Sequence, residues 1–241
     1  MIINRSFKEF KFRHRSKKNQ IIYTSKKIQN DNDVTNLIDN FLVEKNSFIF
    51  ESVEKGKIKG RYTIFGKNPD KIWEFNNKDS YLIKNKNKFK LNQNPSELIE
   101  KIIEEFKFEI PSSLPPISSL ISGYFSYDSI RYIEKISNTC KDDLKIPDVR
   151  LLRPRTLVIH DNLKKKIFYI INIFKDEKIN NYTKKYNEIK LELSKLLIQS
   201  SKKPFLKIDQ KKKEDIKVKS NTSKNKFLKI VNKAKKYIKI G

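Results

Sequence analysis

The longest nearly apolar run in this chain covers residues 167–174 and is interrupted by Asn172 alone. Isoleucine and phenylalanine dominate it, and it falls far short of the ~20 residues a helix needs to cross hydrocarbon. It therefore reads as a strand. Residues 156–160 precede it, and 156–160 with 166–174 read as a β-hairpin turning at Asp161-Asn162. So apolar a hairpin has to be covered. With 241 residues the chain is long enough for one sizeable core or two small ones, and 37% hydrophobic content with regular patterning sets it apart from disordered chains.

Elsewhere the hydrophobic period alternates between strand and helix. Residues 21–28 read as a strand, and 33–42 as a short helix with Val34, Leu37, Ile38 and Leu42 on one side. Residues 47–53 and 60–66 are two apolar runs joined by a polar connection around Gly56, which is a hairpin pattern. Residues 72–76, 81–84 and 88–91 continue as a meander, with turns expected at Asn68-Pro69-Asp70, at 76–79 and at 85–87. Asn94 caps a helix that opens at Pro95, with Leu98, Ile99, Ile102, Ile103 and Phe106 along one face. A Pro and Ser loop, 111–119, leads into a strand at 120–127 and a short helix at 129–136. A longer helix over 181–199 carries Tyr182, Tyr186, Ile189, Leu193, Leu196 and Leu197 on one stripe. The expected fold class is α+β, an antiparallel sheet with helices packed on it. The expected organisation is one domain over 1–199, a Lys-rich linker over 200–222, and a helix over 223–241 with Phe227, Ile230, Val231, Ala234, Tyr237 and Ile238 on its apolar side.

There are 54 Lys and Arg against 28 Asp and Glu, a formal charge of +26. Such an excess ordinarily points to phosphate-rich partners. Here the lysines are spread through every segment rather than gathered on one arm. Ala occurs once, at Ala234, and Gly five times, a profile that codon usage in an A- and T-rich genome produces. No nucleic-acid partner is therefore expected, and a basic nucleic-acid-binding module stands as the alternative from another functional class. A single cysteine, Cys140, excludes an internal disulfide, and with two histidines it cannot close a structural zinc site. Residues 1–18 lack the apolar stretch of a secretory signal and read as a solvated first segment, so the default location is the cytosol, with no membrane partner.

Most catalytic templates fail. Gly66-Lys67-Asn68-Pro69 lacks the second glycine and the Lys-Ser/Thr pair of a phosphate loop. His14 lies in a basic tail and His160 at a strand end, both without metal-site spacing. Cys140 beside Lys141 reads as a free thiol. Two segments say more. In Phe50-Glu51-Ser52-Val53-Glu54, followed by Gly60-Arg61-Tyr62-Thr63-Ile64-Phe65-Gly66, an acid and a hydroxyl close an apolar strand. They suit an ammonium group, and Arg61 on the partner strand can hold a carboxylate through two parallel hydrogen bonds. Together they suit a zwitterionic amino acid; ordinary surface charges on a hairpin are the plain alternative. In Gly123-Tyr124-Phe125-Ser126-Tyr127-Asp128, with Arg131, Asp142-Asp143, Asp148, Arg150, Arg153 and Arg155 beyond, paired acids and spaced arginines fit a structural ion-pair cluster at least as well as a binding site.

These residues resemble those of a known family. The first segment is similar to the Leu-Leu-Glu-Ser-Val-Glu and Gly-Arg-Tyr-Ser motifs of anthranilate synthase component I. Residues 123–128 resemble its Gly-Tyr-Phe-Gly-Tyr-Asp, and residues 142–162 resemble its Asp-Asp-Leu, Pro-Asp-Leu-Arg and Pro-Arg-Thr-Leu-Val stretch. The helix after residue 223 resembles the one that opens the family's chorismate-binding region. The four matches run in family order. Ile49-Phe50 replace Leu-Leu, Thr63 replaces Ser, and Ser126 replaces the second Gly.

The resemblance implies the family's layered fold and a function for the whole protein. That function is conversion of chorismate and ammonia to anthranilate and pyruvate, the first step of tryptophan biosynthesis, with feedback inhibition by tryptophan. It implies a glutamine amidotransferase partner, component II, as the ammonia source. It places Ser52 and then Glu51 in the tryptophan site, with Arg61 added on the electrostatic argument above. Magnesium, chorismate and the catalytic groups belong in the family to the carboxyl-terminal part. This chain is therefore expected to be an amino-terminal portion with no catalytic residue and no metal ligand of its own. The nearest alternative is a component of the aminodeoxychorismate synthase kind.

Overall fold

The computed structural model describes residues 2–28, 34, 44–51, 60–139, 141–202 and 219–240. The chain divides into two compact units, Met1–Phe205 and Leu206–Gly241. Among the described residues of the second, the helix α4 (Lys224–Ile240) follows the 223–241 periodicity.

The first unit runs α1 (Phe7–Arg15), β1 (Gln20–Lys27), β2 (Phe48–Phe50), β3 (Tyr62–Asn76), β4 (Asp79–Lys84), β5 (Asn87–Leu91) and α2 (Pro95–Glu105). It continues with β6 (Ser122–Phe125), a 3-10 turn (Tyr127–Tyr132), β7 (Val149–Asp161), β8 (Lys166–Ile173) and α3 (Tyr182–Ser201). Among the described residues, eight strands form one sheet in the order β1-β8-β7-β3-β4-β5, with β2 added on β3 and β6 on β7. Every pairing is antiparallel. The fold class is α+β, as the sequence pattern implies.

β3 and β7 are the spine, because each contributes its two halves to two different neighbours. Residues 62–66 of β3 lie near β2 and residues 72–76 near β4; residues 149–152 of β7 lie beside β6 and residues 156–161 beside β8. Between the halves the register slips by one: Pro69 faces Pro154, but Lys71 faces Arg153, so Asp70 is an extra residue. The turn expected at Asn68-Pro69-Asp70 is thus a bulge inside one long strand. Proline has no N–H to give to a ladder, and two of them facing each other mark the place where the ladder breaks.

The apolar run at 167–174 is continuous because β8 is covered on both faces. Ile167, Tyr169, Ile171 and Ile173 join Phe10 of α1 and Ile189, Leu193 and Leu196 of α3 on one side. Phe168 and Ile170 join Leu114, Leu157 and Ile159 on the other. A third cluster packs Leu98 and Ile102 of α2 on Trp73, Phe75, Val149 and Leu151. Asn94 caps α2 as expected, its side chain accepting from the Glu97 N–H at 3.0 Å, and Asn181 caps α3 at Lys184 N, 2.9 Å.

Three expectations are corrected. Residues 7–15 are not a solvated tail: Ser6 and Glu9 form a reciprocal cap that starts α1, and Phe10 is fully buried between β1 and the tyrosines of α3. The helix expected at 129–136 is a 3-10 turn at Tyr127–Tyr132. The helix expected at 33–42 lies outside the described residues apart from Val34, which is helical.

Candidate functional site

β2 delivers Glu51 to the end of the sheet. Its last residue, Phe50, pairs with Ile64 of β3, and Glu51 follows directly, exposed. β3 opens at Tyr62, preceded by Arg61 and by Gly60 at φ 72°. By that register Glu51 continues opposite Thr63, and Arg61 lies two residues farther along at the same end of the sheet. Gly66 leaves room for the Phe48 ring over β3, since a Cβ there would lie 2.2 Å from that ring. Ser52 and the 52–59 connection lie outside the described residues.

Arg61 does grip a carboxylate through two parallel hydrogen bonds, and the carboxylate is that of Asp161. Its Nε donates to Oδ1 at 3.0 Å and its Nη2 to Oδ2 at 2.8 Å. Asp161 is 1% exposed and also accepts from the N–H groups of Leu163 and Lys164, each at 3.1 Å. Burial works against its charge, but the Arg61 hydrogen bonds and the two backbone donors hold it below the usual carboxylate range. The same bonds to Asp161 raise Arg61. The backbone is tied as well, because Asn162 N donates to the Arg61 carbonyl at 2.9 Å. The Arg61 guanidinium sits 4.9 Å from the Tyr62 ring centroid. Sequence reasoning read Asp161-Asn162 only as a turn. The missed signal is an acid closing an apolar strand at a turn, where its side chain can accept from the next N–H groups.

The arginines of β7 form a structural ladder of ion pairs. Arg150 donates to Glu74 at 3.1 Å and to Asn46 at 2.9 Å. Arg153 holds Asp70 and Asp176, and its guanidinium lies 3.9 Å from the Phe174 ring centroid. Arg155 pairs with Glu177 at 2.7 Å. Burial opposes ionisation of Asp176, yet Lys71 and Arg153 bring it down to about 2; Arg155 and Lys185 likewise keep Glu177 low against its burial. These acids line a cleft of about 960 Å³ together with Pro69, Ile72 and Ile83. In the second sequence segment, Asp128 pairs with Arg131, and Asp142 accepts from Lys145 N at 2.9 Å. Gly123 is required by contact, because a Cβ there would meet the Arg150 carbonyl oxygen at 2.0 Å.

His14 is not in a tail. It is buried, with Nδ1 3.0 Å from the Tyr182 hydroxyl and Nε2 3.0 Å from the Glu177 carbonyl, so it fastens α1 to α3. His160 is packed, at 4% exposure. Cys140 lies outside the described residues. Among the described residues no group of three or more His, Cys, Asp or Glu is placed to hold a metal ion, and no helix is long and apolar enough to cross a membrane.

Comparison with known proteins adds to this geometry. The family model described as chorismate binding enzyme matches residues 45–241. Anthranilate synthase component 1 of Cereibacter sphaeroides is 32% identical over 167 residues, covering 67% of this chain and 33% of that protein. The Acetivibrio thermocellus protein of the same name is 35% identical over 52% of this chain and 26% of its own length. The chloroplastic anthranilate synthase alpha subunit 2 of Arabidopsis thaliana is 32% identical over 66% of this chain and 27% of its own. The matches thus span about a third or less of these relatives' length. A crystal structure of anthranilate synthase component I from Streptococcus pneumoniae overlaps 59% of this chain and 32% of its own, at 24% identity and a TM-score of 0.45.

Proposed function

Because the chain belongs to the chorismate binding enzyme family, we propose that it serves as the tryptophan-responsive part of an anthranilate synthase component I. The observation that carries this reading is the extent of the family match, residues 45–241, together with relatives named anthranilate synthase component 1 at 32% and 35% identity. The proposed overall reaction is chorismate and ammonia to anthranilate and pyruvate, with ammonia delivered by a component II amidotransferase. No described group of side chains offers a ligand set for magnesium, and none of the steps assigned to this chain runs through that ion.

The part proposed for these residues is regulation. Glu51 would receive the ammonium of tryptophan, Ser52 would hydrogen-bond the ligand, and Arg61 would face its carboxylate. Tryptophan then inhibits to the extent that it binds a less active arrangement more tightly than the active one. The reaction class is tested by product identity. Protein containing this chain, supplied with chorismate, ammonia and magnesium, should release anthranilate and pyruvate; aminodeoxychorismate as the product would reject the reading in favour of the folate branch.

A further inference from the structure

We infer that the cleft lined by Asp70, Asp176 and Glu177 binds an organic polyphosphate, a small molecule with two or more phosphate groups and an apolar part. Its volume of about 960 Å³ is that of a small-molecule site. The acids lining it are neutralised from within the fold: Arg153 holds Asp70, Lys71 and Arg153 hold Asp176, and Arg155 and Lys185 hold Glu177. Four further lining cations, Lys45, Lys84, Lys86 and Lys178, form no ion pair among the described residues. The cleft therefore carries an uncompensated positive charge, and a concave surface focuses such a charge where a convex one disperses it.

Three separate turns carry the four lysines. Lys84 pairs with Asn87 across the β4–β5 turn, where Asn85 at φ 51° and Lys86 at φ 68° make a tight two-residue reversal. Lys45 precedes Asn46, which stands at φ 61° before β2 and accepts from Arg150 Nη2 at 2.9 Å. Lys178 follows Glu177, which is fastened by Arg155 at 2.7 Å and Lys185 at 2.8 Å. Each lysine thus stands on or beside a held backbone, so that binding has to order its side chain alone. The apolar half of the site comes from Pro69 at the bulge and from Ile72 and Ile83, which face each other across β3 and β4. Ammonium groups suit phosphates as point charges, and the apolar surface suits a ring or chain attached to them.

The test separates this cleft from the general charge of the chain. The 241-residue chain, at +26, is titrated calorimetrically with ATP and with inorganic triphosphate, at about 0.15 M salt, which screens diffuse attraction. One ATP should bind per chain. Inorganic triphosphate should bind about tenfold more weakly, because it has nothing to cover the apolar surface. Lys84→Glu combined with Lys178→Glu should weaken ATP binding about tenfold; both residues are exposed, so the fold does not rest on them. Lys235→Glu combined with Lys236→Glu makes the same change in net charge on α4, which does not line the cleft, and should leave binding within about twofold. Equal weakening by the two pairs would make binding a property of net charge and overturn the inference. Several ATP molecules per chain, or no binding at this salt, would overturn it too. Triphosphate binding as tightly as ATP would reject an organic ligand.

Discussion

Arg153 donates to Asp70 from Nε at 2.7 Å and from Nη2, and Asp70 is the extra residue where the β3–β7 ladder slips. The pair therefore stabilises the bulge that joins the two halves of the sheet. Replacing Arg153 by Met leaves Asp70, whose side chain is 15% exposed, without its counter-charge. Such a loss costs about 3 kcal/mol. Urea denaturation should show a lower midpoint, and a shift under about 1 kcal/mol would mean the bulge holds without the pair.

Acid should weaken the same region. Asp176 is lowered from 3.8 to about 2 in the folded chain, where burial is outweighed by Lys71 and Arg153. A carboxylate lowered on folding contributes stability above its unfolded value, and the contribution is lost as pH falls through the folded one. Stability should therefore decline between pH ~4 and ~2, and Asp176→Asn should flatten that part of the profile. Thermal melts across this range give the answer.

The two contact glycines should differ in cost. A methyl at Gly123 meets the backbone oxygen of Arg150 at 2.0 Å, whereas one at Gly66 meets the Phe48 ring at 2.2 Å. A ring can turn aside and a strand backbone cannot. Gly123→Ala is expected to lose about 3 kcal/mol and Gly66→Ala about half that. Equal losses would show that Phe48 is as fixed as the strand.

Removing Phe10 should detach α1. The side chain is fully buried and its ring lies 5.6 Å from that of Tyr186 and 6.0 Å from that of Tyr182. Phe10→Ala should cost about 4 kcal/mol, with amides of residues 7–15 losing protection from hydrogen exchange before those of β8.

Regulation gives the last prediction. If Ser52 contacts tryptophan, Ser52→Ala should raise the tryptophan concentration for half-inhibition about tenfold in protein that makes anthranilate. Unchanged inhibition would remove Ser52 from the site.

The fold was legible where a local signal has a local cause. The Asn94-Pro95 start of α2, the α3 stripe and the β7–β8 hairpin follow from capping and period alone. The bulge at Asp70 was not, because Asn-Pro-Asp satisfies a turn equally well and only the distant Pro154 shows that the strand continues. α1 was misread for a related reason: its charge hides one deeply buried ring, Phe10, whose cover comes from α3. Arg61 was singled out to hold a ligand carboxylate, whereas the carboxylate it holds is that of Asp161, which stands 100 positions away, beyond any spacing rule.

That distance shapes how the molecule can be made. The hairpin of β7 and β8 lies between β3 on one side and β1 on the other, yet both of those strands are synthesised far earlier. A growing chain must keep β1 and β3 apart and unpaired on their facing edges until the hairpin arrives to fill the gap. The apolar stretch at 167–174 is thus the last strand of the sheet to be synthesised, and until it emerges the β1 and β3 edges it separates have no partner between them.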